Sequence, residues 1–89
     1  MTFDDMQVVE RYVADLVSGT GSRLPVMLSK EYDRVDIDAT ALAGMDLPTF
    51  VDRLAQSLGR KGYVWDVWRD MDSGSYGQFV HVSEREEEG

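Results

Sequence analysis

The sequence has no cysteine, one histidine and two prolines among its 89 residues. Without cysteine there can be no disulfide bond, no thiolate metal ligand and no cysteine nucleophile. The chain has no apolar run of about 18 residues, the length that spans a membrane, and its start, with Asp4 and Asp5, is too acidic for a signal peptide. We therefore expect one small, soluble, cytoplasmic domain with a single modest core.

The common catalytic motifs are also missing. There is no Walker sequence and no Gly-x-Ser-x-Gly elbow, and the pair Gly19 and Gly21 follows a predicted helix, whereas a dinucleotide-binding loop follows a strand. The single histidine, His81, lies in a strand-like segment without a recognisable catalytic partner, which favours a structural or surface role. We predict a non-enzymatic protein without catalytic residues.

Two acidic segments, which begin at Asp36 and Asp70, start like calcium-binding loops. Such a loop needs glycine at its sixth position and glutamate at its twelfth, and neither segment has them. We therefore predict no metal site and no cofactor. The alternative is a weak divalent-cation site formed by Asp33, Asp36 and Asp38.

Negative charge dominates the chain, which has 17 acidic and 9 basic residues and a net charge of −8. The excess lies in residues 1–22 and 62–89, whereas residues 23–61 are balanced. Such a charge repels nucleic acid and anionic membranes and attracts basic partners, although it also serves solubility alone. We expect no direct nucleic-acid or membrane binding. Residues 84–89 are acidic without an apolar side chain, and we predict a disordered tail there.

Two segments have the apolar spacing of amphipathic helices. The first begins at Thr2, with Asp5 as the second member of a capping box, and ends before Gly19. Its apolar residues are Met6, Val9, Val13, Leu16 and Val17. The second begins after Asp46 as the N-cap and ends at the glycines of residues 59–62. Its apolar residues are Leu47, Phe50, Val51, Leu54, Ala55 and Leu58.

Alternating apolar and polar residues predict two β-hairpins, and residues 19–22 read as a flexible loop. The hairpin strands are predicted at residues 24–29, 34–39, 63–70 and 76–83. Val35 and Ile37 face inward in the second strand, and Asp36 and Asp38 face water. We predict an α+β two-layer domain over residues 1–83, in which an antiparallel sheet of about four strands packs with two helices in the order α-β-β-α-β-β.

Our first functional hypothesis is a regulator or inhibitor that binds a basic surface of a partner protein. Carboxylates on regular elements are held at fixed separations, as phosphates are, so that the chain could imitate nucleic acid in a nucleic-acid-handling complex. In size, charge and lack of catalytic motifs it resembles the small acidic proteins that phages make against restriction and CRISPR machinery. The predicted partner-binding residues are Asp36, Asp38, Asp66, Asp70, Asp72, Trp65 and Trp68.

The alternative hypothesis is an interaction or assembly module, including a homodimer, that uses the aromatic second hairpin. Tryptophan and tyrosine are frequent anchors of protein interfaces. Trp65 and Trp68 lie on opposite faces of the predicted strand, so one of them can stay uncovered if helices cover a single face. The competing interpretation is that both tryptophans belong to the core. In the alternative hypothesis the negative charge serves solubility.

Overall fold

The structure, a computed structural model, describes residues 1–60, 65–70 and 77–84. Its elements are α1 (Phe3–Leu16), β1 (Val26–Ser29), β2 (Arg34–Asp38), α2 (Leu47–Arg60), β3 (Trp65–Asp70) and β4 (Phe79–Glu84). All strand pairs are antiparallel, and the order in the sheet is β1-β2-β4-β3. This is the predicted α+β fold, with the predicted order of elements.

Both helices begin at the predicted caps. The Thr2 side chain accepts a hydrogen bond from the backbone N–H of Asp5, and the Asp5 carboxylate accepts one from the N–H of Thr2, which completes the capping box of α1. At the start of α2, Oδ1 of Asp46 accepts a hydrogen bond from the N–H of Thr49 at 3.1 Å. These local contacts fix where each helix starts.

One face of the sheet packs on both helices. Residues that pair across antiparallel strands point to the same side, and the fully buried pairs are Val35 with Val82 and Ile37 with Val80. They form one core with the buried helix residues, among which Phe50 is the largest. The fold is therefore two-layered, and helices and sheet close a single apolar core.

The structure corrects several boundaries and one face. Residues 24 and 25 precede β1, and β3 begins at Trp65 within the described residues. Strand β4 extends to Glu84, one residue beyond the predicted domain boundary, and the predicted tail from 85 to 89 lies outside the described residues. Ala55, expected in the apolar stripe of α2, is exposed. Its small side chain adds little to either face, so the apolar spacing overestimated its burial.

The loop that follows α1 contains hydrogen bonds made by its hydroxyl side chains. The Thr20 hydroxyl donates to the carbonyl of Val17 at 2.6 Å and accepts from the N–H of Ser22 at 3.1 Å. The Ser22 hydroxyl accepts from the N–H of Ala43 at 3.1 Å. Hydroxyl side chains therefore replace the missing regular structure, and they join the loop to the segment before α2.

Candidate functional site on the outer sheet face

The sheet face opposite the helices, here called the outer face, is crossed by a row of four paired residues. Met27 of β1 pairs with Asp36 of β2, Asp36 pairs with His81 of β4, and His81 pairs with Trp68 of β3. The two ends of the row are open, with Met27 54% and Trp68 65% exposed. Within the described part of the chain, both helices belong to the opposite layer.

The centre of this row is an ion-paired carboxylate. Oδ1 of Asp36 lies 2.7 Å from Nε of Arg34 and 2.9 Å from Nδ1 of His81. Because a carboxylate can only accept, Nδ1 of His81 donates this hydrogen bond. The side chains of Asp36 and His81 are 21% and 16% exposed. The expectation that Asp36 projects freely into water was therefore wrong, and His81, which had no visible partner in the sequence, has one across the sheet.

Arg34 is held by a second contact beside the carboxylate. Its guanidinium carbon lies 4.5 Å from the centre of the Tyr32 ring. This cation–π contact and the hydrogen bond to Asp36 both restrict the side chain of Arg34. The positive charge of Arg34 is thus paired within the molecule, where it offsets the negative charge of Asp36.

Asp38 also has a local structural role. Its Oδ1 accepts a hydrogen bond from the backbone N–H of Thr40 at 3.0 Å, so that the carboxylate stabilises the turn after β2. Its backbone pairs with Phe79 in β4. The side chain remains partly exposed on the outer face. Asp38 therefore contributes negative charge to this face while it is tied to its own turn.

Phe79 lies beside this turn, and its ring packs over Gly77. An ideal Cβ built at Gly77 would lie 2.7 Å from Cε2 of Phe79 and 3.4 Å from Oγ1 of Thr40. Oγ1 of Thr40 in turn accepts a hydrogen bond from the N–H of Gln78 at 3.1 Å. The absence of a side chain at Gly77 therefore allows the ring to lie close to the backbone.

The remaining predicted site residues belong to β3 and the segment after it. Asp66 pairs with Ser83, two positions along β3 from the exposed Trp68 and on the same side of the sheet. Trp65 pairs with Glu84 and Asp70 with Phe79, and the side chains of Trp65 and Asp70 lie outside the described residues. Asp72 lies outside them altogether. The structure thus brings Asp36, Asp38, Asp66 and Trp68 to one face.

A metal site and a membrane-spanning helix are both missing from the part of the chain that the structure describes. Within residues 1–60, 65–70 and 77–84, no three carboxylates or histidines are grouped so that they could hold a metal ion. Asp33 lies in the turn between β1 and β2 and pairs with the amino group of Met1, and among the described residues it forms no cation site with Asp36 and Asp38. Neither described helix is long and apolar enough to cross a membrane.

Comparison with protein-family models, curated proteins and solved structures finds no match to this chain.

Sequence reasoning missed the partners of Asp36 and the end of the row at Met27. Arg34 could have been found, because residues two apart in a strand point to the same side. His81 could not, because its position opposite Asp36 depends on the pairing of β2 with β4, which are 40 and more residues apart in the chain. For Trp68 the sequence left two possibilities, an exposed side chain or a side chain in the core.

Proposed function

We propose that this chain is a non-enzymatic regulator or inhibitor that binds a basic surface of a partner protein through the outer face of its sheet. The observation that carries the proposal is Trp68, a large aromatic side chain that is 65% exposed on this face. Exposed tryptophans cost free energy in water, and they are frequent anchors where a partner covers them. The proposal joins the charged and the aromatic hypotheses on one surface.

The charge around Trp68 supports a basic partner. Asp66 lies two positions away on the same side of β3, and the chain as a whole has a net charge of −8. A lysine or arginine of the partner could lie over the indole ring of Trp68 and face a carboxylate at the same time. Long-range attraction between opposite charges would accelerate the encounter, and salt would reduce it.

The internal pairing of Asp36 changes which carboxylates can contribute. Its charge is offset by Arg34 at 2.7 Å, so Asp36 is a poor substitute for a phosphate. Asp38 and Asp66 are partly exposed on the same face as Trp68, and we name them with Trp68 as candidate contacts of the partner. In its more specific form, our proposal is that the chain imitates nucleic acid and binds a complex that handles nucleic acid.

The test is affinity capture with the full chain from nuclease-treated lysate of the source cells or their host, washed at low and high salt and analysed by mass spectrometry. We expect a basic protein that is captured by the wild type and lost with Trp68→Ala. Asp66→Lys should weaken the capture more at low than at high salt, because salt screens the lost attraction. Asp52→Lys, an exposed change on α2 with the same charge difference, is the matched control.

With the purified partner, Trp68→Ala should raise the dissociation constant roughly 30-fold, which corresponds to about 2 kcal/mol. Displacement of the partner's nucleic acid by this chain would support the mimic. A partner that is retained equally by wild type, Trp68→Ala and Asp66→Lys would contradict the proposal. Recovery of this chain alone, with loss of self-association in Trp68→Ala, would instead support a homodimer through the aromatic hairpin.

A further inference from the structure

Strand β1 forms one edge of the sheet, and part of its backbone points away from the molecule. The N–H of Asp38 donates to the carbonyl of Pro25 at 2.9 Å, which shows that alternate residues from Pro25 onward face β2. Val26 and Leu28, which lie between them, therefore direct their N–H and C=O groups outward. No hydrogen bond of these outward groups occurs within the described residues.

Strand β1 is only four residues long, but the strand itself has no charged residue that would oppose pairing with another strand. Residues 26–29 have no charged side chain, whereas the opposite edge, β3, has Asp66, Arg69 and Asp70. Pro25 precedes β1, but the N–H that it lacks would point toward β2, so its ring leaves the outer side of the strand available. The backbone of β1 is thus ready to accept another strand.

A groove of about 810 Å³ lies between α1 and this edge. Its lining includes Val13 and Val17 from α1 and Leu24 and Val26 from the β1 side, with the exposed Ala14 on the flank of the helix. A strand added to β1 would place its own inward side chains at this groove. The small side chain at Ala14 leaves room for a neighbouring helix to approach α1.

We infer that the occupant of this edge is a second copy of the chain, with the two β1 strands antiparallel about a twofold axis. The outward groups allow Val26 to pair with Leu28 of the second copy and Leu28 with its Val26, the register that overlaps β1 over its outward residues, and each pair then exchanges two hydrogen bonds. Met27 then lies on the axis beside Met27 of the second copy. The exposed methionine would be covered, and the sheet would continue through both molecules.

The charges next to β1 are complementary in this arrangement. Two chains of net charge −8 repel each other at long range, but β1 itself lies in residues 23–61, which have as many acidic as basic residues. Arg23 precedes β1 and Glu31 follows it, and both are exposed. In the antiparallel arrangement, Arg23 of each copy lies opposite Glu31 of the other copy. Opposite charges therefore meet at both ends of the interface.

The test is sedimentation equilibrium of the full chain from micromolar to millimolar concentration. We expect a reversible dimer in the wild type and in Met27→Leu. Met27→Lys places two cations side by side on the axis and should raise the dissociation constant about tenfold or more. Arg23→Glu should also weaken the dimer, and the double variant Arg23→Glu with Glu31→Arg should restore it, because the opposite charges are exchanged.

A chain that stays monomeric over the whole range would overturn the inference, as would a dimer that is equally stable in wild type, Met27→Lys and Arg23→Glu. Failure of the double variant to regain the dimer would overturn it too. Circular dichroism shows whether each variant folds. If Met27→Lys does not fold, the variants at the exposed positions 23 and 31 still test whether the dimer forms through β1. Trp68→Ala should leave this dimer intact, so partner binding through the outer face and self-association are tested separately.

Discussion

Nδ1 of His81 in β4 lies 2.9 Å from Oδ1 of Asp36 in β2, and the same oxygen accepts a hydrogen bond from Arg34 at 2.7 Å. The outer face is thus held at its centre by polar contacts between strands, and its exposed apolar side chains lie at the ends of the row. The centre of the row should therefore affect stability, whereas the exposed ends of the row are where we propose that a partner binds.

Asp36→Ala should lower the free energy of unfolding by about 1–2 kcal/mol, since it leaves Arg34 and His81 without their shared acceptor. Asp52→Ala, on the exposed face of α2, should change it by less than about 0.5 kcal/mol. Urea denaturation followed by circular dichroism measures both. In a double-mutant cycle, Asp36→Ala and His81→Ala should show a coupling of about 0.5–1.5 kcal/mol, and additive effects would argue against the contact.

The same contact makes a charge reversal at position 36 costly. Asp36→Lys would place a third basic side chain beside Arg34 and His81. We expect Asp36→Lys to destabilise the domain by more than Asp36→Ala does, because repulsion is added to the lost hydrogen bonds. Thermal unfolding compares the two variants. Equal melting temperatures would show that the lysine escapes into solvent at no cost.

Asp46 makes stability depend on acid pH. Hydrogen bonds from the side chain and the backbone N–H of Thr49 hold the pKa of Asp46 below its ordinary value. The charged Asp46 carboxylate therefore adds to the free energy of unfolding at pH values above its ordinary pKa. This stabilisation is lost as the pH falls through the lowered pKa of the folded protein. Asp46→Asn retains an N-cap acceptor without the charge. The wild type should be more stable than Asp46→Asn near neutrality, by a margin that shrinks on acidification; parallel melting curves against pH would contradict this.

Gly77→Ala should destabilise the domain, because the new Cβ would lie 2.7 Å from Cε2 and 3.1 Å from Cζ of Phe79. Displacement of the partly exposed ring from its rotamer should cost about 0.5–1.5 kcal/mol. Gly59→Ala is the matched control, because a Cβ there meets nothing within 4 Å and the residue lies in α2. It should stabilise the helix by about 0.5–1 kcal/mol. Opposite shifts of the melting temperature are expected, and a shift of the same sign in both variants would contradict the packing of Phe79 on Gly77.

Phe50→Ala and Trp68→Ala should separate the core from the outer face. Phe50 is fully buried, and its truncation should lower the free energy of unfolding by about 3–5 kcal/mol. Trp68 is mainly exposed, and its loss should cost less than about 1 kcal/mol. Chemical denaturation of both variants measures the difference. A large loss of stability in Trp68→Ala would mean that Trp68 is needed by the fold, and it would weaken the proposal that a partner covers it.

Much of the fold could be predicted from local pattern. Two-residue alternation in β2 placed Val35 and Ile37 in the core, and the structure buries both completely. The caps at Thr2 and Asp46 were predicted because the donor and acceptor of a cap lie within one helical turn. Strand ends were less accurate, since the length of a strand depends on how far its neighbour continues.

The sequence by itself determined the order of elements, the starts of both helices and the buried side of β2, because each of these depends on residues within a few positions of one another. Only the tertiary structure decided that β4 lies between β2 and β3. That placement brings His81 to Asp36, leaves Trp68 exposed at one edge and leaves the backbone of β1 unpaired at the other. Such contacts join residues distant in the chain, and they form only when helices and sheet close a common core.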